Sequence, residues 1–424
     1  MPAVLGCRDR ESVVAASPER ETGMKARIRG TLADAMISYR PARCLCAGLF
    51  AALWWTSALA EAGAPQTGAA ANSAFRDPED GWFDLSGFID HSYGFAPIAI
   101  PITEPAVGYG AAAALVFIDK QKSGDSTAYA PPNLTAVGGL ATEDGSWGVF
   151  GLDSRHWLDD RLQTIVAIGY INLHLDYYGL GEGSGLRDHP VAYQLTPFGG
   201  KAQIRYRLGQ TRAKIGLAYS LATTRIEFDP ASDTAGLPAA EQNSRLGGLT
   251  PAFNYDSRNS LFTPTRGIYA ETRLGVYSKL LGSDTEYQMA DLVFIGYYPL
   301  HSRVTVGTRG SAGASSKDTP FYLRPFVYMR GVAAMRYQGE QVAQIEAEVR
   351  YQFWKRFSVV GFGGAGQAWS DSDAGASNES VAAVGTGVCY ELARKYGLHV
   401  GVDAAWGPDQ PAFYVQFGNA WLKL

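Results

Sequence analysis

The sequence predicts an all-β fold, a closed antiparallel transmembrane β-barrel of about sixteen strands. Three observations predict this fold class. An N-terminal secretory signal precedes a chain in which apolar and polar residues alternate along many segments. The alternating segments are about ten residues or longer, as tilted barrel strands are. After the signal, no uninterrupted apolar run approaches the ~18 residues that a membrane helix needs.

The composition narrows the class of protein. The chain has 424 residues and a formal net charge of -4, so it lacks the basic surplus typical of nucleic-acid-binding proteins. Its 23 Tyr and 9 Trp suit a membrane–water interface. Three of the four cysteines lie in or before the signal, so the mature chain keeps Cys389 alone and is expected to form no internal disulfide. We expect no nucleic-acid partner, no metal and no cofactor.

Residues 36–60 carry the features of a signal peptide. Arg40 and Arg43 form a positive region, an apolar stretch follows, and residues 58–60 (Ala-Leu-Ala) form a small-x-small cleavage site. The alternatives are a buried helix and an N-terminal anchor, but the apolar stretch is short for a membrane span. We therefore expect an N-terminal extension and signal peptide in 1–60, a flexible periplasmic leader in 61–93 and the barrel in 94–424.

Residues 344–351 show the alternation most clearly. Gln344, Glu346, Glu348 and Arg350 fall on one face, and Ile345, Ala347, Val349 and Tyr351 fall on the other. A soluble β-sandwich also alternates. The long strands, the several ionisable residues on one face and the lack of disulfides favour a membrane barrel. In lipid a closed sheet is required, because every backbone polar group must be hydrogen-bonded.

Sixteen segments are predicted as strands. They lie at 97–103, 107–119, 133–142, 145–157, 161–175, 193–208, 212–228, 245–256, 267–277, 285–298, 302–315, 343–354, 357–369, 381–392, 397–406 and 412–422. The longer connections are expected at the extracellular end, and they are 120–132, 176–192, 229–244, 316–342 and 370–380. The short turns at 157–160 and 300–302 are expected at the periplasmic end.

Four stretches resemble the barrel part of the bacterial surface antigen family, the BamA/TamA-like outer-membrane proteins. Residues 254–267 (NYDSRNSLFTPTRG) resemble the family's strand–turn–strand element, through Tyr255, Asp256, Arg258, Pro264, Arg266 and Gly267. Residues 328–332 (YMRGV) resemble its loop motif. The run from 385 to 421 is similar to its last strands, and residues 102–110 resemble the opening strand of a barrel-only subgroup without POTRA repeats. Together the resemblance covers about residues 80–424.

The resemblance implies that the long loop, 316–342, folds into the barrel lumen. It also implies that Arg330, followed by Gly331, lies there against acidic residues of the wall. A buried guanidinium favours a bidentate carboxylate, and the candidates on predicted inward faces are Glu346, Glu348 and Asp403. The alternative is a solvated loop charge. The sequence departs from the family where Gly364 replaces the usual Asp of the Phe-x-Asp-x-Gly strand, so the acidic partner must come from elsewhere.

The sequence therefore predicts an integral protein of the cell outer membrane, with a role in membrane assembly or transport and no assigned substrate. The alternatives are a passive or loop-gated pore and a structural or adhesive surface protein. The expected partners are outer-membrane lipids, lipopolysaccharide and, during insertion, the barrel-assembly machinery, and we expect a monomer. An enzyme is not expected, because there is no GxSxG elbow and no HExxH pair among the scattered histidines.

Overall fold

The computed structural model describes residues 75–91, 96–119, 133–180, 184–228, 243–372, 375–409 and 411–422. Sixteen antiparallel strands form a single sheet in sequence order and curve into a nearly closed barrel, which confirms the predicted fold class. The strands are β1 Ala96–Ile102, β2 Gly110–Asp119, β3 Asn133–Thr142, β4 Trp147–Trp157, β5 Leu162–Tyr177, β6 Val191–Arg207, β7 Ala213–Phe228, β8 Asn243–Asp256, β9 Gly267–Tyr277, β10 Tyr287–His301, β11 Val304–Ser315, β12 Gln341–Trp354, β13 Phe357–Ser372, β14 Gly375–Ala393, β15 Leu398–Trp406 and β16 Ala412–Phe417.

The two faces of the wall differ in the sense expected for a membrane barrel. On β12, Ile345 and Val349 are 65% and 46% exposed, whereas Glu346 and Glu348 are 5% and 8% exposed. The apolar residues thus lie on the open face and the carboxylates on the covered one, the reverse of a soluble sandwich. Among the residues that the structure describes, no helix combines the length and the apolar character required to cross a bilayer.

The sheet ends at β1 and β16, and these two strands form the seam of the barrel. The described strands include no β-ladder between them. Both are short, with seven and six residues. Beside them, the backbone N–H of Val415 donates a hydrogen bond to Oγ1 of Thr103 at 3.3 Å. The barrel is therefore held less firmly at the seam than at its other strand pairs.

The sheet register corrects one of the predicted extracellular loops, and another, 120–132, lies outside the described residues. Successive connections of an antiparallel sheet alternate between its two ends, so the turns at 158–161 and 302–303 lie at one end, named here the short-turn end, and 316–340 lies at the other, the long-loop end. The predicted loop 370–380 is mostly strand, because β13 and β14 pair as far as Ser372 and Gly375.

Two terminal segments also differ from their predictions. Part of the expected flexible leader is a folded element: Arg76 and Phe83 form a β-bridge, and helix α1 spans Ser86–His91. At the other end, the last strand stops at Phe417 rather than at residue 422. The predicted signal peptide, 36–60, lies outside the described residues.

Candidate functional site

The candidate site is built by the loop segment, defined here as residues 316–340, which joins β11 to β12 and contacts the covered face of the wall. In its first half, Phe321 and Tyr322 pack among tyrosines of β5, β6 and β10. In its second half, Val327, Met329 and Val332 are nearly fully buried against residues of β12, β13 and β14. Burial of these five apolar side chains fixes the loop segment on the sheet.

Arg330 lies at the centre of the site and is 8% exposed. Its Nη1 donates to Oδ2 of Asp403 on β15 at 2.6 Å, and its Nη2 donates to Oε2 of Glu348 on β12 at 2.7 Å. Its guanidinium carbon lies 3.5 Å from the ring centroid of Phe362 on β13. The two carboxylates and the ring face surround a buried cation, so removing either carboxylate leaves charge uncompensated.

Glu346 has a different partner from the one proposed for it. Its Oε1 accepts a hydrogen bond from Arg309 on β11 at 2.6 Å. Arg309 Nη1 also donates to the backbone oxygen of Tyr328, so this ion pair holds the loop segment two residues before Arg330. Oε2 of Glu346 accepts from the indole N–H of Trp421 at 3.2 Å. Of the three predicted acidic partners, the structure thus brings Glu348 and Asp403 to Arg330.

Two glycines make the approach of the loop segment possible. Gly331 has a φ of +89°, and a Cβ there would lie 3.1 and 3.2 Å from the Cβ atoms of Ala383 and Ala405. Its N–H donates to Oη of Tyr414 on β16 at 2.9 Å. Gly364, which replaces the family's Asp, is equally confined, because a Cβ there would lie 2.7 Å from Cγ of Glu346.

The second family motif forms the β8–β9 turn at the short-turn end. Arg258 binds Asp256 in a bidentate pair, with Nε to Oδ1 at 2.9 Å and Nη2 to Oδ2 at 2.8 Å, and lies over the ring of Tyr269. Gly267 has a φ of +107°, and a Cβ there would lie 2.4 Å from the backbone oxygen of Ser257. Tyr255 faces outward and Arg266 is exposed, so these two predicted residues lie away from the buried contacts.

The β8–β9 turn meets the C-terminal tail, defined as residues 418–422. The backbone oxygen of Pro264 accepts from Nη2 of Arg350 on β12 at 3.1 Å. That of Phe262 accepts from Nδ2 of Asn419 at 2.5 Å. Trp421 is 5% exposed and packs with Tyr297 of β10. The turn and the tail together cover the inner face at the short-turn end.

Sequence reasoning missed several residues of the site, among them Arg309, Tyr414 and Trp421. The signal for Arg309 was its place on a polar face of β11, directly opposite Glu346 in the register. Nothing local distinguishes Tyr414 of the last strand or Trp421 of the tail from the other aromatic residues near them in the sequence. Within the described ranges, no group of three or more His, Cys, Asp and Glu side chains is placed to hold a metal ion.

Comparison with known proteins gives three results. The family model described as the Omp85 superfamily domain matches residues 154–415. Among solved structures, BamA from Haemophilus ducreyi lacking POTRA domains 1-3 is similar at a TM-score of 0.51 and 12% identity, over 83% of this chain and 81% of that one. CdiB from Escherichia coli gives a TM-score of 0.51 at 12% identity, over 76% of this chain and 61% of that one. A search of the curated proteins finds no significant match.

Proposed function

The chain belongs to the Omp85 superfamily and is an outer-membrane β-barrel, and we propose that it inserts or moves lipid or protein substrates through the seam between β1 and β16. We further propose that the loop segment occupies the lumen and controls the seam. Its contacts with the covered face of the wall support this placement. The substrate class stays open between lipid and protein.

One observation carries the proposal: the loop segment is bonded to both sides of the seam. The Gly331 N–H donates to Tyr414 on β16, and the Ala334 N–H donates to Oε1 of Glu104, just after β1, at 3.1 Å. Arg330 fixes the same stretch to Asp403 on β15. Because the two end strands form no ladder of their own among the described residues, these loop contacts bridge the weakest joint of the wall.

A disulfide across the seam tests the proposal. Thr103 and Val415 already touch, so we expect T103C/V415C, made with C389A, to close the seam under oxidising conditions. The expected result is loss of function in a gene-deletion strain, scored by its outer-membrane protein and lipid content, with recovery on reduction. The control is A404C/F413C, which joins register partners of β15 and β16 on the exposed face and leaves the seam free. Full function of the oxidised seam variant would disprove gating by the seam.

The alternative function is a loop-gated pore, which the packing of the loop segment on the covered face of the wall favours. In this function the loop segment blocks one end of the barrel, and the pore opens only when that segment moves. Single-channel recording in planar bilayers separates the two functions. Stepwise currents of the intact protein that grow on deletion of 316–340 favour the pore. Silence of the intact protein, together with assembly or lipid defects in a gene-deletion strain, favours the seam.

The partners follow from the same proposal. Contact with outer-membrane lipid follows from the location of the barrel, and lipopolysaccharide faces its long-loop end. We propose that the barrel-assembly machinery inserts the chain and that it works as a monomer. Sedimentation in detergent, corrected for bound detergent, measures the oligomeric state.

A further inference from the structure

A patch of exposed aromatic side chains lies on the folded segment before the barrel, named here the foot (residues 75–91). Phe75, Phe83 and Phe88 are 41%, 48% and 40% exposed. Their rings stack, with centroid distances of 6.3 Å between Phe75 and Phe83 and 5.7 Å between Phe75 and Phe88. Three adjacent exposed phenylalanines on so short an element form an apolar surface of the kind that marks an interaction site.

The foot is held rigidly at the short-turn end of the barrel. Arg356, in the β12–β13 turn, is only 1% exposed and forms the central ion pairs with the foot. It donates to Asp77 at 2.6 Å, to Asp80 at 2.8 Å and to Asp84 at 2.7 Å. The backbone N–H of Leu85 adds a bond to the oxygen of Leu392 at 2.8 Å. The position of the patch relative to the wall is therefore fixed.

The foot also reaches the lipid-facing side of the wall. Trp82 packs edge-on against Trp354 at 5.1 Å and against Phe357 at 6.0 Å. Oη of Tyr390 on β14 donates to the backbone oxygen of Phe83 at 2.6 Å. On β14, Tyr390 shares its face with Val388, which is 51% exposed on the outside of the barrel. The aromatic patch of the foot therefore continues the outer, apolar face of the barrel at its rim.

The charges beside the patch suit a phospholipid headgroup region. Exposed Lys355 lies in the same turn as Arg356, with its Nζ 4.8 Å from the ring centroid of Trp82. Lysine beside interfacial tryptophan is the arrangement found where a wall leaves the hydrocarbon for the headgroups. Three of the foot aspartates, Asp77, Asp80 and Asp84, form ion pairs with Arg356.

We propose that the foot is an interfacial membrane anchor that binds the phospholipids of the periplasmic leaflet. Phe75, Phe83 and Phe88 enter the boundary between headgroups and acyl chains, and Lys355 contacts a lipid phosphate. The short-turn end faces the periplasm, as the predicted orientation requires. The occupant is lipid rather than protein because the patch is continuous with a face that is itself in lipid.

Spin labels test the depth of the foot. Single cysteines are placed at Phe83 and, as the matched control, at Glu79, whose side chain is 79% exposed on the same element. Each is combined with C389A, and folding is checked by heat-modifiable migration. The protein is placed in vesicles of phosphatidylethanolamine and phosphatidylglycerol, and the collision rates of each label with oxygen and with a water-soluble nickel chelate are measured. We expect the oxygen-to-nickel ratio to be several-fold higher at position 83 than at position 79. Equal ratios at the two positions would overturn the proposal.

A second measurement covers the case in which a label displaces the foot. F88W and E79W each add one indole to the full chain, and the added fluorescence is measured in vesicles containing a phosphatidylcholine brominated near the headgroup. Quenching of the signal from F88W but not from E79W supports insertion. If neither signal is quenched in a barrel that migrates as folded, the patch faces water and awaits a protein partner, and the lipid proposal is wrong.

Discussion

Arg330 is held by two carboxylates from strands that are far apart in the sequence. Only 7% of its side chain is exposed, so the two carboxylates supply its charge compensation. We expect R330A to destabilise the barrel by about 3–5 kcal/mol, because Glu348 and Asp403 would then be buried and unpaired. Melting followed by semi-native gel mobility measures this. R225A, which removes an exposed pair with Glu227, is the control and should cost about 1 kcal/mol or less. Equal melting of R330A and wild type would contradict the buried pairing.

Gly364 gives a second residue-scale prediction. Restoring the family's aspartate with G364D is expected to lower stability rather than strengthen the site. The new Cβ would lie 2.7 Å from Cγ of Glu346 and 2.8 Å from the backbone oxygen of Ile345, and it would bring a second carboxylate beside Glu346. We expect a loss of about 1–3 kcal/mol from overpacking alone. G361A, at an outward position of the same strand with open space around it, is the control and should melt like wild type.

The foot is an element whose docking depends on one side chain. We expect R356A to release the foot while the barrel stays folded, because three aspartates lose their shared cation. Breaking such a buried network costs about 3 kcal/mol. Hydrogen–deuterium exchange of residues 75–91 measures the release. R394A removes a cation that is 44% exposed, so it should leave the exchange of the foot nearly unchanged. Slow exchange in R356A would show that the aromatic contacts suffice.

The same element is expected to respond to acid. The hydrogen bond from Arg356 holds the pKa of Asp80 below its ordinary value of 3.8. Burial acts to raise the pKa of Asp84, but hydrogen bonds from Ser86 and Arg356 outweigh it and the pKa is lowered. Because docking lowers the pKa of these aspartates, their ionised forms stabilise the docked foot at pH values above 3.8. This stability is lost as the pH falls through the lowered pKa values of the docked state. The mobility of a spin label at position 79 should therefore stay constant above pH 3.8 and rise below it. In R356A, the label should be mobile at every pH.

At the scale of the whole barrel, two segments pack on the covered face of the wall from opposite ends. The loop segment contacts it from the long-loop end, and the β8–β9 turn with the C-terminal tail contacts it from the other. We therefore expect deletion of 316–340 alone to give smaller single-channel currents than the same deletion combined with N419A and W421A. N419A/W421A by itself should stay silent, because the loop segment remains. Equal currents from the two deletion proteins would show that the turn and tail leave the passage open.

The strands could be predicted from the sequence because the alternation of side chains is a local property of each strand. In β12, the alternation of Glu346 and Glu348 with Ile345 and Val349 follows from the two-residue period of a strand and needs no long-range contact. The length of a connection was harder to predict from the sequence. The loop expected at 370–380 is mostly strand, because β13 and β14 remain paired as far as Ser372 and Gly375.

The foot and the tail were misjudged for a related reason. Residues 75–91 look like a leader because Arg356, which binds three of their aspartates, lies more than 270 residues later in the chain. The last segment alternates as far as residue 422, but Gly418 has a φ of +84° and turns the chain inward after Phe417. Neither feature is visible from local periodicity.

The sequence by itself determined the membrane barrel, its number of strands and the family to which Arg330 and the β8–β9 turn belong, because alternation and turn chemistry act between near neighbours. Only the tertiary structure decided which carboxylates surround Arg330, which pair Glu346 forms and where the foot docks. These contacts join strands that the closing of the barrel brings together, and a pattern along one chain does not record which inward side chains will meet across it.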